Sequence, residues 1–127
     1  MENALSSERK ISQSVIQVTE LLGMYQAELA RILGLKCGDI GELASGRNTI
    51  KKDSHAWQQA ALFIDAYNLL FDYFSGDAVA IYHWMRAPNQ HLQGTPHWLI
   101  VDDGKLSLIR DYLSQALSES RGHPENG

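Results

Sequence analysis

Cysteine occurs once in the 127 residues, at Cys37, which excludes an internal disulfide and a cysteine-rich metal site. Long apolar runs are missing as well. No stretch approaches the roughly eighteen uncharged apolar residues of a membrane span, and the N-terminus MENALSSERK lacks the apolar core of a signal peptide. The chain is therefore expected in the cytoplasm, with no membrane contact. Enzyme signatures are also lacking. His55, His83, His91, His97 and His123 form no HExxH pair and no Cys/His cluster, and there is no GxSxG, GxxxxGK[ST] or GxGxxG. Asp102-Asp103 before Gly104 reads as a solvated turn rather than a catalytic carboxylate pair. No catalytic residue, metal or cofactor is expected. Alternating β-branched runs are absent too, which leaves an all-α chain.

What is present is helix after helix. With 44% apolar residues, a chain of this length can bury a core as one unit or as two small subdomains sharing one. Ile11, Val15, Val18 and Leu22 recur at three- and four-residue steps and predict a first helix from near Ser6-Ser7 to just before Gly23. In QAELARILGLKCGDIGELAS, residues 26–45, Ala30 is small where two helices would cross. Gly34 supplies the positive φ of a sharp helix end, and Ile40 and Leu43 face inward, which is a helix-turn-helix spacing. An ordinary helical hairpin has the same spacing. Asp53 or Ser54 caps a fourth helix over 54–75, whose apolar residues occupy more than one stripe and so need two neighbours, or a second copy of the chain. A fifth helix runs from Asp77 to about Met85. Thr95 before Pro96 starts a short sixth one, and Leu106, Ile109, Leu113 and Leu117 mark a seventh. The polar residues 118–127, SESRGHPENG, read as a mobile tail.

The formal charge of −4 is unevenly spread. Residues 8–52 hold seven Lys/Arg against five Asp/Glu, a balance of +2, and residues 53–127 hold four against nine, a balance of −5. This split suggests that the N-terminal part faces phosphates and the C-terminal part something else. On this reading Arg47, Lys51 and Lys52 touch phosphates, and Lys36, Gly38 and Glu42 lie nearest the bases, Glu42 as an acceptor for a cytosine amino group. Gly38 and Gly41 each cost about 1 kcal/mol inside a helix, and Asp39 and Glu42 repel phosphates, so modest intrinsic DNA affinity is expected.

Two resemblances sharpen this. The segment 26–45, followed by Gly46-Arg47-Asn48 and Lys51-Lys52, resembles the Xre/Cro-type helix-turn-helix, which implies DNA-facing roles for Gln26, Lys36, Cys37, Gly38, Glu42, Arg47, Asn48, Lys51 and Lys52. Gly76-Asp77, Ala80, Trp84-Met85, Pro88-Asn89, Leu92, Gly94, Pro96, Gly104 and Leu113, within about 71–115, are similar to the Xre/MbcA/ParS antitoxin family. The sequence departs from that pattern at Phe74-Ser75-Gly76, Met85 and His97-Trp98. The resemblance implies a helix-turn-helix region at 1–53, a helical toxin-binding and dimerisation domain at 54–117, and a flexible tail at 118–127. It implies an antitoxin that binds a cognate RES-domain (NAD-consuming) or related ADP-ribosylating toxin and, as a homodimer, represses its own operon. Arg86, Gln90, Gln93, His97, Trp98 and Arg121 are the expected toxin contacts, with Trp98 the best exposed aromatic. A free-standing DNA-binding regulator whose C-terminal half only dimerises is the alternative, and a neighbouring RES-type reading frame separates the two.

Overall fold

The computed structural model describes residues 4–122, which form seven helices: α1 (Ala4–Leu21), α2 (Gln26–Leu33), α3 (Cys37–Ser45), α4 (His55–Tyr73), α5 (Ala78–Arg86), α6 (Pro96–Val101) and α7 (Leu106–Gly122). The fold is all-α, as the sequence pattern requires. Asn89 and Gly94 form one isolated antiparallel bridge among the described residues.

The α2–α3 turn is built from local devices. Each helix starts with an acid three residues in that accepts a backbone N–H: Glu28 Oε1 from Tyr25 at 2.9 Å, and Asp39 Oδ2 from Lys36 at 3.0 Å. Both carboxylates also sit at the positive end of a helix dipole. Gly34 ends α2 in the left-handed region at φ 71°, and the Leu35 N–H returns to the Ala30 carbonyl at 2.9 Å. Leu29, Ala30, Ile32, Leu33, Ile40 and Leu43 are buried between the helices and their neighbours.

Helix α4 is the spine. Ser54 starts it by accepting the Trp57 N–H at 3.1 Å, while Asp53, the other candidate cap, holds a left-handed φ of 66° in the preceding turn. Ala56, Ala60, Phe63, Ala66 and Leu70 form its buried stripe, and Trp57, Leu62, Ile64, Tyr67 and Leu69 add a partly buried flank. Its most extensive packing is on α7, followed by α1. The second apolar face is thus met within the chain, by α7.

After α4, Asp77 Oδ1 accepts the Val79 and Ala80 N–H groups at 3.1 Å each and starts α5. The bridge between Asn89 and Gly94 closes the loop before α6, and a Cβ on Gly94 would lie only 3.0 Å from Leu99 Cδ2. Thr95 occupies the N-cap position of α6, but its side chain makes no cap bond. Pro96 at the first turn sets the helix start instead. Helix α7 continues past Leu117 to Gly122, so residues 118–122 of the expected flexible tail are helical. The rest of that tail, 123–127, lies outside the described residues.

Two glycine substitutions should move stability in opposite directions. Gly34→Ala places a Cβ on a left-handed residue and should lower unfolding free energy by about 1–2 kcal/mol. Gly41→Ala, in mid-helix with nothing within 4 Å of the new Cβ, should raise it by about 0.5–1 kcal/mol. Thermal unfolding of the two variants beside the wild type checks both signs.

Candidate functional site

The nine residues expected to face DNA stand on the N-terminal helices and the loop after α3, and all nine are exposed. Gln26 opens α2, Lys36 precedes α3, and Cys37, Gly38 and Glu42 lie along α3. Arg47, Asn48, Lys51 and Lys52 lie in the α3–α4 loop. Glu42 Oε1 lies 3.5 Å from Asn48 Nδ2, so the acid is turned partly toward its own loop.

That loop is fastened to α1 by two residues the sequence pattern did not single out. Ser12 Oγ accepts the Ile50 N–H at 2.8 Å and donates to the Glu8 carbonyl at 2.6 Å. The Glu8 carboxylate accepts the Lys52 N–H at 2.8 Å and the Thr49 hydroxyl at 3.2 Å. The Lys52 bond foremost, together with the Thr49 hydroxyl and the Lys51 and Lys52 charges, holds Glu8 below the ordinary glutamate pKa. The basic loop therefore has a fixed place against α1.

The second site lies along the seam where α2 and the turn before it meet α6 and the end of α5. His97 Nε2 lies 2.7 Å from Glu28 Oε2, joining residues 69 positions apart. An ionised carboxylate only accepts, so this bond needs the hydrogen on Nε2. His97 is 4% exposed, and its Nδ1 has no partner. Burial alone pushes the Glu28 pKa up, but the Tyr25 N–H, the His97 bond and the nearby Arg86 charge outweigh it and leave the carboxyl below its ordinary value. Arg86 Nη2 donates to the Gly23 carbonyl at 3.2 Å, and its guanidinium lies 4.0 Å from the centre of the Tyr82 ring, a cation–π contact. Trp98 packs edge-on to His97 with ring centres 4.6 Å apart and is 52% exposed. Around these side chains lies an open cavity of about 390 Å³.

Of the six expected toxin contacts, Arg86, His97 and Trp98 therefore meet at one cavity. His97 is not presented as expected, because its polar edge is taken up by Glu28 inside the seam. Gln90 and Gln93 are exposed on the loop before α6. Arg121 stands apart near the end of α7, with its guanidinium 3.8 Å from Asp72 of α4. A further groove of about 470 Å³, lined by Tyr73, His91, Tyr112 and Gln115 among others, opens between α4, the α5–α6 loop and α7. Tyr112 stacks with Trp84 at 6.4 Å and with His91 at 6.1 Å, so the partly buried ring of Trp84 joins an aromatic group. Among the described residues, no group of three His, Cys, Asp or Glu side chains is placed to hold a metal ion.

This assembly of α4 end, α5, α6 and α7 corresponds to a known domain. Residues 69–116 match the antitoxin Xre/MbcA/ParS C-terminal toxin-binding domain. Its signature covers the end of α4, all of α5 and α6, and α7 as far as Ala116. Arg86, Gln90, Gln93, His97 and Trp98 lie within the toxin-binding domain, whereas Arg121 and the helix pair α2–α3 lie outside it. No curated protein matches the chain.

Both lowered glutamates tie stability to pH. A folded-state pKa below the unfolded one stabilises fully above the ordinary value of 4.5 and loses that contribution as pH falls through the lowered value. Urea midpoints should hold near neutrality and drop on the acid side of 4.5. Glu28→Gln should be less stable at neutral pH and show a shallower acid decline, and an unchanged decline would contradict the assignment.

Proposed function

We propose that the chain is the antitoxin of a type II toxin–antitoxin pair, which neutralises a RES-type, NAD-consuming or ADP-ribosylating toxin by direct binding and represses its own operon through α2 and α3. The observation that carries this reading is the match of residues 69–116 to a toxin-binding domain, in a region that holds Trp98 and Tyr82 open to solvent beside Arg86. A large exposed aromatic beside a guanidinium is the chemistry of a protein-binding hot spot, since both give much contact for little loss of side-chain freedom. On this reading the protein has no catalytic role, works in the cytoplasm, and binds its operator as a homodimer, as a two-fold DNA site requires. Support for DNA binding is the exposure of Lys36, Arg47, Lys51 and Lys52 around a helix-turn-helix spacing.

Co-expression with the toxin encoded beside the gene tests the first half. The wild-type chain should restore growth and copurify with the toxin, and a folded Trp98→Ala variant should do neither. Full neutralisation by that variant would remove Trp98 from the interface. A salt series tests the second half. Replacing Lys51 and Lys52 together by alanine should weaken binding to the upstream DNA and to unrelated DNA alike, and should reduce the salt dependence by about one unit per lost phosphate contact. Unchanged binding across the series would refute the phosphate assignment.

A further inference from the structure

The residue that lies furthest open to solvent beside the seam cavity is outside the matched domain. Tyr25, the residue that starts α2, is 76% exposed, and it shares the cavity with Tyr82 and Trp98 of the C-terminal half. The same lining holds Arg86 and Glu28, one charge of each sign, over a buried His97. A slot with aromatic walls and balanced charges does not favour a phosphate chain, whose approach Glu28 opposes. It suits a neutral apolar or aromatic side chain packed against the exposed rings. The slot is also continuous with the toxin-binding domain, which supplies Tyr82, Arg86, His97 and Trp98.

We propose that the toxin-docking surface crosses the seam onto the N-terminal half, with Tyr25, Tyr82 and Trp98 gripping an apolar or aromatic side chain from an extended segment of the bound toxin. The proposal rests on the antitoxin reading and adds to it a contact residue on the helix-turn-helix itself. It also means that bound toxin touches the first helix of the DNA-reading pair directly.

Tyr25→Ala is a clean probe, because the bond that starts α2 runs from the Tyr25 backbone N–H to Glu28 and survives loss of the ring. Wild type, Tyr25→Ala and Tyr25→Phe are titrated against the purified RES-type toxin from the adjacent reading frame and, separately, against the upstream DNA, with thermal unfolding as a fold control. The expected result is a loss of toxin affinity of about tenfold or more for Tyr25→Ala, retention by Tyr25→Phe, and little change in DNA affinity. Toxin affinity unchanged in Tyr25→Ala overturns the proposal while leaving the antitoxin reading intact. A loss confined to DNA binding also overturns it and assigns Tyr25 to the operator. Failure of the wild type itself to bind the toxin overturns the antitoxin reading and, with it, this extension.

Discussion

Helix α4 carries apolar side chains around more of its circumference than one neighbour can cover, and both halves of the chain are organised by that surface. Helices α7 and α1 cover the largest parts of it. Phe63 and Leu70 are almost fully buried, and each such side chain contributes roughly 1.5–3 kcal/mol by leaving water. The small residues Ala56, Ala60 and Ala66 let the neighbouring helices approach closely on the buried stripe. Helices α2 and α3 and the matched domain are therefore not two beads on a linker. They share one core, because α4 packs against α2 and its end belongs to the matched domain.

Along the seam the polar contacts are secondary to packing. Arg31 and Asp102 pair at 2.8 Å, but both are largely exposed, and such pairs are worth about 0–1 kcal/mol. The Glu28–His97 bond is buried and has a different consequence. It fixes α6 against α2 at one rotation, and this determines that Trp98, the next residue, points outward at the cavity mouth. Besides its share of stability near neutral pH, that bond provides positioning. The same holds for Glu8 and Ser12, which hold the basic loop against α1 so that Lys51 and Lys52 have a defined place.

Local features were legible from the sequence where a rule acts over a few residues. The positive φ at Gly34, the Ser54 start of α4, the proline start of α6 and the exposure of Trp98 follow from spacing and turn chemistry. Contacts across long stretches were not. Glu28 and His97 are 69 positions apart, Glu8 and Lys52 are 44 apart, and neither pair leaves a periodic signal. His97 is buried against Glu28 where the sequence alone predicts a surface contact, because a polar residue beside an exposed tryptophan reads as surface until its distant partner is known. The polar residues 118–122 predict a tail, yet they form the last turn of α7, and an exposed last turn needs no apolar face. There Gln115 and Glu119 lie 3.3 Å apart one turn along, and Arg121 reaches Asp72.

On the proposed function, partner recognition belongs to the matched domain and DNA reading to the helices before it. Amide hydrogen exchange of the chain, alone and bound to the toxin from the adjacent reading frame, tests this most directly. Slowed exchange on binding should fall on residues 78–101, spanning α5, the bridge loop and α6, with α3 unchanged. Protection confined to α3 and the basic loop, with 78–101 exchanging as in the free chain, would contradict the account.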